Sequence, residues 1–103
     1  MITTIVQFKL PEPVSRSKAR ELFLGSAPKY LNASGLVRKY YLLSDGGKTA
    51  GGVYLWESRQ AAEAMFNAEW RQFIAEKYGA EPCVDYFETP VVVDNLTGEV
   101  SQD

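Results

Sequence analysis

Residues 36–56 run Leu36-Val-Arg-Lys-Tyr-Tyr-Leu-Leu43, then Ser44-Asp-Gly-Gly-Lys48, then Thr49-Ala-Gly-Gly-Val-Tyr-Leu-Trp56. Branched and aromatic residues on both sides of a Ser-Asp-Gly-Gly cluster predict two strands joined by a tight turn. Successive side chains of a strand point to opposite faces, so Val37, Tyr41 and Leu43 oppose Tyr40 and Leu42, while Val53 and Leu55 oppose Tyr54 and Trp56. Both faces are substantially apolar. A sheet with helices on one side and water on the other alternates cleanly, so this hairpin predicts a covering layer on each side. Gly51 and Gly52 remove side chains where another backbone or a ligand comes close.

Outward from the hairpin, the flanking segments supply the remaining elements. Ile2 to Leu10 alternates with period two and reads as a strand ended by Pro11 and Pro13. Ser15 or Ser17 caps a helix whose apolar stripe is Ala19, Leu22, Phe23, Ala27, Tyr30 and Leu31. Pro28 lacks a backbone donor, which predicts a kink or break near it, and Asn32 to Gly35 closes the helix. Ser58 caps a second helix carrying Ala61, Ala62, Met65, Phe66, Trp70, Phe73, Ile74 and Tyr78 on one stripe up to Gly79. Val84 to Glu88 is a fourth strand, and Val91 to Val93 an edge segment.

The order strand, helix, hairpin, helix, strand predicts an α+β, ferredoxin-like βαββαβ unit: one antiparallel sheet with both helices on one face. The domain is placed at residues 1–93, with a polar C-terminal tail at 94–103. A second copy is the simplest cover for the bare sheet face, giving a homodimer. A domain of this size buries only somewhat over ~60% of its unfolded surface, so covering that face gains it much.

The charge pattern excludes several partners. The net charge is −2 and the cations are scattered, with Arg16, Lys18 and Arg20 the closest approach to a cluster. A nucleic-acid interface needs a basic stripe, so none is expected. Met1 leads straight into a strand pattern with no leader-like segment, and no apolar run approaches the ~18 residues of a spanning helix. A cytoplasmic protein with no membrane partner is expected.

Histidine is absent, which removes the commonest general base, metal ligand and haem ligand, and with them Ser-His-Asp and Cys-His catalysis. Cys83 is the only cysteine, so no intrachain disulfide and no cysteine-rich zinc site exist. Cys83 itself reads as a small buried hydrophobe. Gly46-Gly47 is turn punctuation, since it lacks the spacing of a phosphate loop. Glu57, Glu63 and Glu69 read as solvated, and no metal site is expected.

Aromatic residues dominate what is left: six Tyr, five Phe and two Trp. Tyr54 and Trp56 share one strand face, Arg38 and Tyr40 share another, and Phe66 and Trp70 look inward from the second helix. If these faces coincide, they wall a pocket between sheet and helices; otherwise the rings are core. Arg38, amid an apolar strand, reads equally as a holder of a carboxylate or phenolate and as half of a structural ion pair. Gln7 either points into the pocket as a hydrogen-bonding amide or faces the partner sheet, with Lys9.

Several segments together carry a resemblance. They are Ser26-Ala-Pro-Lys-Tyr30, Gly35-Leu-Val-Arg-Lys-Tyr-Tyr-Leu42, Gly51-Gly-Val-Tyr-Leu-Trp-Glu-Ser58, Glu69-Trp-Arg71, Tyr86-Phe-Glu88 and Pro90-Val-Val-Val-Asp-Asn95. Across most of its length the chain resembles the YdhR-like monooxygenases of the dimeric α+β-barrel superfamily. The resemblance implies a tryptophan of a Trp-Glu-Ser stretch lining a substrate cavity, a position Trp56 occupies. Haem-degrading relatives use a histidine on the following helix, which this chain lacks. The resemblance therefore implies a monooxygenase without a cofactor, acting on a small aromatic or polycyclic phenol or quinol. Trp56, Tyr54, Phe66 and Trp70 would be its walls, with Arg38 or Tyr40 stabilising the anion. A binding protein without turnover, or an isomerase or cyclase of polyketide-like compounds, shares the fold and stays open.

Overall fold

The structure, a computed structural model, describes residues 1–103. In chain order it contains β1 (Ile2–Lys9), α1 (Arg16–Tyr30), β2 (Leu36–Leu43), β3 (Thr49–Trp56), α2 (Arg59–Met65), α3 (Ala68–Tyr78), β4 (Cys83–Glu88), β5 (Val91–Asp94) and β6 (Glu99–Gln102). The first four strands to appear in the main sheet lie in the order β2-β3-β1-β4, every neighbouring pair antiparallel. That is the ferredoxin-like α+β arrangement expected from the hairpin and its flanks.

The hairpin register decides what faces what. Ser44 N–H donates to the Thr49 carbonyl at 2.8 Å, closing a turn over Asp45–Lys48 and placing Lys39 opposite Tyr54 and Tyr40 opposite Val53. Lys39, Tyr41 and Leu43 therefore share the helix side with Ala50, Tyr54 and Trp56. Ile2, Thr4, Val6 and Phe8 of β1 join them, all buried. Gly51 answers its predicted role, because a Cβ there would run into the Val6 carbonyl of β1.

The other face carries Arg38, Tyr40 and Leu42 of β2, Val53 and Leu55 of β3, Thr3, Ile5 and Gln7 of β1, and Cys83, Asp85 and Phe87 of β4. Tyr40 is 57% exposed and Phe87 50%. This is the two-sided apolar pattern seen in the sequence, and within one chain its outer side lies open.

Four expectations are corrected. The second helix is two: α2 ends at Met65, and Asn67 starts α3 by accepting the Trp70 N–H on its side chain at 2.9 Å. Pro28 does not break α1, which runs two residues further to Tyr30: Pro28 lacks the bond to the Leu24 carbonyl, and the Leu31 N–H still donates to the Ala27 carbonyl at 3.2 Å. The segment after Asp94 is no plain tail. Asp94 Oδ1 accepts the Leu96 N–H at 2.9 Å, Gly98 takes φ +72°, and β6 returns along β5 as a separate two-stranded sheet rather than a new edge of the main one. Cys83, expected buried, is exposed because it falls on the open sheet face.

Candidate functional site

The aromatic residues on the inner face do meet. Tyr54 stacks on Trp56 at 5.8 Å between ring centroids, Phe66 stands edge-on to both at 5.1 and 5.6 Å, and Phe66 lies 4.5 Å from Trp70. They meet as packed core. Trp56 is wholly buried and its Nε1–H donates to Thr4 Oγ1 at 2.9 Å; Trp70 is 2% exposed and its Nε1–H donates to the Tyr30 hydroxyl at 2.9 Å. Each indole is thus filled on its faces and satisfied at its one polar atom, the usual condition of a structural tryptophan.

Arg38, Tyr40 and Gln7 are not part of that cluster. The register turns all three to the opposite sheet face, where all are exposed. Arg38 Nη1 lies 3.5 Å from the Tyr40 hydroxyl and 3.8 Å from Asp94 Oδ2, a partial version of the ion pair weighed from the sequence. The grouping of Arg38 or Tyr40 with Trp56 in one pocket therefore fails: residues 38 and 40 point away from residue 54, and it is Lys39 between them that points toward it.

Lys39 is the residue the sequence reading passed over. Its stem lies over Gly52, whose missing side chain leaves the room: a Cβ there would stand 3.1 Å from Lys39 Cε. Its amine sits over the rings of Tyr30 at 3.3 Å, Tyr41 at 3.8 Å and Tyr54 at 4.6 Å from the centroids. It has no carboxylate partner. Burial drives the Lys39 amine down to about 6, with the charge of Lys77 pushing the same way. The tyrosines move oppositely: burial raises the hydroxyls of Tyr30, Tyr41, Tyr54 and Tyr78, so all four stay protonated at neutral pH.

Two open grooves flank the edge strand where α1 leans on it. One, of about 580 Å³, runs between the C-terminal half of α1 and the start of β2; its walls include Leu24, Tyr30, Leu31, Leu36, Arg38, Lys39 and Tyr41. At its inner end Lys39 also borders a void of about 10 Å³ enclosed by Tyr30, Tyr41, Tyr54, Tyr78, Phe8 and Ser26. The second groove, of about 770 Å³, shares Leu24, Ala27 and Tyr41 with the first and opens toward the β2–β3 turn, where Arg16, Arg20 and Asp45 are exposed at its rim. Tyr41, between the two, is held by a 2.8 Å hydrogen bond with Ser26 of α1 and by stacking on Phe23 at 4.6 Å. No group of three or more carboxylate, cysteine or histidine side chains is positioned to hold a metal ion.

A four-stranded antiparallel sheet in the order β2-β3-β1-β4 with its helices on one face defines the ferredoxin-like class of α+β domains. Residues 4–85 match the family model described as Putative mono-oxygenase ydhR, and the chain belongs to that family. Among solved structures it is similar to the monooxygenase ActVA-Orf6 of Streptomyces coelicolor, held there in complex with Nanaomycin D: 22% identity over 85% of this chain and 86% of that one, TM-score 0.67. It is also similar to SnoaB, a cofactor-independent oxygenase from Streptomyces nogalater, at 15% identity over 85% and 91% of the two chains, TM-score 0.62. A third, NE2512 from Nitrosomonas europaea, is of unknown function; it matches at 15% identity over 85% and 87%, TM-score 0.65. These likenesses establish a shared fold. No curated protein matches the chain. No helix is long and apolar enough to cross a membrane.

Proposed function

We propose that the protein is a monooxygenase that uses dioxygen to oxidise a small electron-rich phenol or quinol, without metal or flavin, and that it works as a homodimer paired through the open sheet face. The observation that carries the reading is the groove of about 580 Å³ between α1 and β2. Its size suits a ring system, and its walls are mostly apolar and aromatic. Membership of a mono-oxygenase family supports the reaction type. The Nanaomycin D bound in the ActVA-Orf6 complex and the cofactor independence of SnoaB support the substrate class and the chemistry.

Such a reaction needs little from the protein. A bound phenol loses its proton, the anion passes an electron to dioxygen, a C–O bond forms at the ring carbon para to the oxygen, and loss of water leaves a quinone. One phenol and one dioxygen give one quinone and one water, so the substrate supplies every electron. The protein's task is to hold the anion, fix its ring and exclude water. In this reading Tyr54, Trp56, Phe66 and Trp70 are the rigid backing of the site. Arg38 stands at the groove rim beside anionic substituents, and Tyr40 and Gln7 belong to the pairing face.

The test is oxygen uptake with product mass analysis over a panel of naphthols and anthrols in metal-free, flavin-free buffer. Quinone should form in step with oxygen consumed. Tight retention of an unaltered compound without uptake would instead mark a binding protein, and product without uptake an isomerase or cyclase.

A further inference from the structure

We propose that Lys39 is the base that takes the proton from the phenolic substrate. This rests on the function proposed above.

The amine borders both the 580 Å³ groove and the inner void, as Tyr30 and Tyr41 do, so a ligand in the groove lies against it. No Asp or Glu lines either space. The titratable groups facing it are Tyr30 from α1, Tyr41 from its own strand, Tyr54 from β3, and Tyr78 and Lys77 from α3. Every one is neutral or cationic when ionised as it is at neutral pH, so nothing in the protein balances an ammonium there. An anionic ligand would.

The competing bases then drop out. The four tyrosine hydroxyls are held protonated by burial, and Tyr41 and Tyr30 are already engaged by Ser26 and Trp70. The chain has no histidine. Lys39, kept neutral at pH 7 by the same burial, has a free lone pair. Once it takes a proton, three ring faces within 4.6 Å and the new phenolate stabilise the ammonium.

The experiment uses 1,8-dihydroxyanthraquinone, which changes from yellow to red on ionisation. Bound to the wild-type protein at pH 7 it should show the anion spectrum while the free dye stays neutral. Lys39→Met, checked for unchanged far-UV circular dichroism, should bind the dye in its neutral form, and Lys39→Gln should do the same. An anion spectrum retained in both variants, a neutral spectrum in the wild type, or no binding of the dye at all overturns the proposal. With any phenol found to turn over, Lys39→Met should lower kcat at pH 7 by ~100-fold or more, with recovery at alkaline pH where the phenol ionises unaided. An unchanged pH profile with turnover intact would remove Lys39 and leave the oxygenase reading standing. The dye shift without any turnover would remove the oxygenase reading and leave Lys39 as the anion-forming group.

Discussion

At the scale of the residue, Trp56 separates packing from chemistry. Its ring is wholly buried, stacked on Tyr54, met edge-on by Phe66, and its one donor is spent on Thr4. Trp56→Ala removes the largest sealed side chain in the core and orphans the Thr4 hydroxyl. It should cost about 3–5 kcal/mol of folding free energy, read as a lowered urea midpoint with little change in slope. A loss below ~1 kcal/mol would mean that the ring borders empty space and lines a cavity after all. Composition and alternation made the inward aromatic cluster legible in the sequence, because ring size and strand parity suffice to place Tyr54 and Trp56 together. They did not make Lys39 legible. Alternation assigns residues to two sides, but which side of β2 matches which side of β3 depends on the turn. Closing that turn as a Ser44–Thr49 pair puts 39 across from 54 and sends 38 and 40 to the far face. The Ser-Asp-Gly-Gly-Lys cluster held that signal, and counting across it would have found the lysine.

Among elements, the break between α2 and α3 is a case of local chemistry overriding a periodic pattern. The apolar stripe from Ala61 to Tyr78 fits one helix, and periodicity has no means of registering a cap within it. Asn67 supplies one: its extended backbone and its side-chain oxygen, accepting from Trp70 N–H, open a new helix. The bend lets Phe66 and Trp70 both turn inward, 4.5 Å apart. Asn67→Ala should cost ~1 kcal/mol through the lost cap. Because Trp70 then loses its anchored first turn, its fluorescence should become more exposed to acrylamide quenching. Unchanged stability and quenching would mean that packing alone sets the break. Of the C-terminal hairpin, β5 falls on the expected edge segment at Val91 to Val93, and the return strand is hidden for a related reason. The two strands are four residues each and β6 is entirely exposed, so no apolar alternation announces it, and only the Asp94 turn and Gly98 mark the reversal.

For the whole molecule, two exposed apolar surfaces call for a cover. The chain is long for its size, 40 × 30 × 22 Å with a radius of gyration of 14.2 Å, against ~13 Å for a compact domain of 100 residues. The hairpin contributes to that length. A two-stranded sheet is marginal alone, and this one leaves Val91, Val93 and Val100 between 55% and 72% exposed, with Leu96 at its tip 96% exposed. Its ties to the domain are the ion pair of the Met1 amine with Asp103, the Asp103 N–H donating to the Pro90 carbonyl at 3.0 Å, and Arg38 3.8 Å from Asp94. Surface ion pairs of this kind contribute ~0–1 kcal/mol each. The open sheet face beside it carries Ile5, Tyr40, Leu42, Val53, Leu55 and Phe87. A second copy related by a two-fold axis would bury both surfaces at once, and a stable pair needs about 800 Å² from each partner. Tyr40→Asp combined with Phe87→Asp places two carboxylates on the face without touching the buried core. In sedimentation velocity the wild type should run as a dimer of 11.5 kDa chains, and the double variant as a monomer with unchanged far-UV circular dichroism. A wild type that stays monomeric at every concentration would sink the pairing. A double variant that stays dimeric would move the contact to another surface.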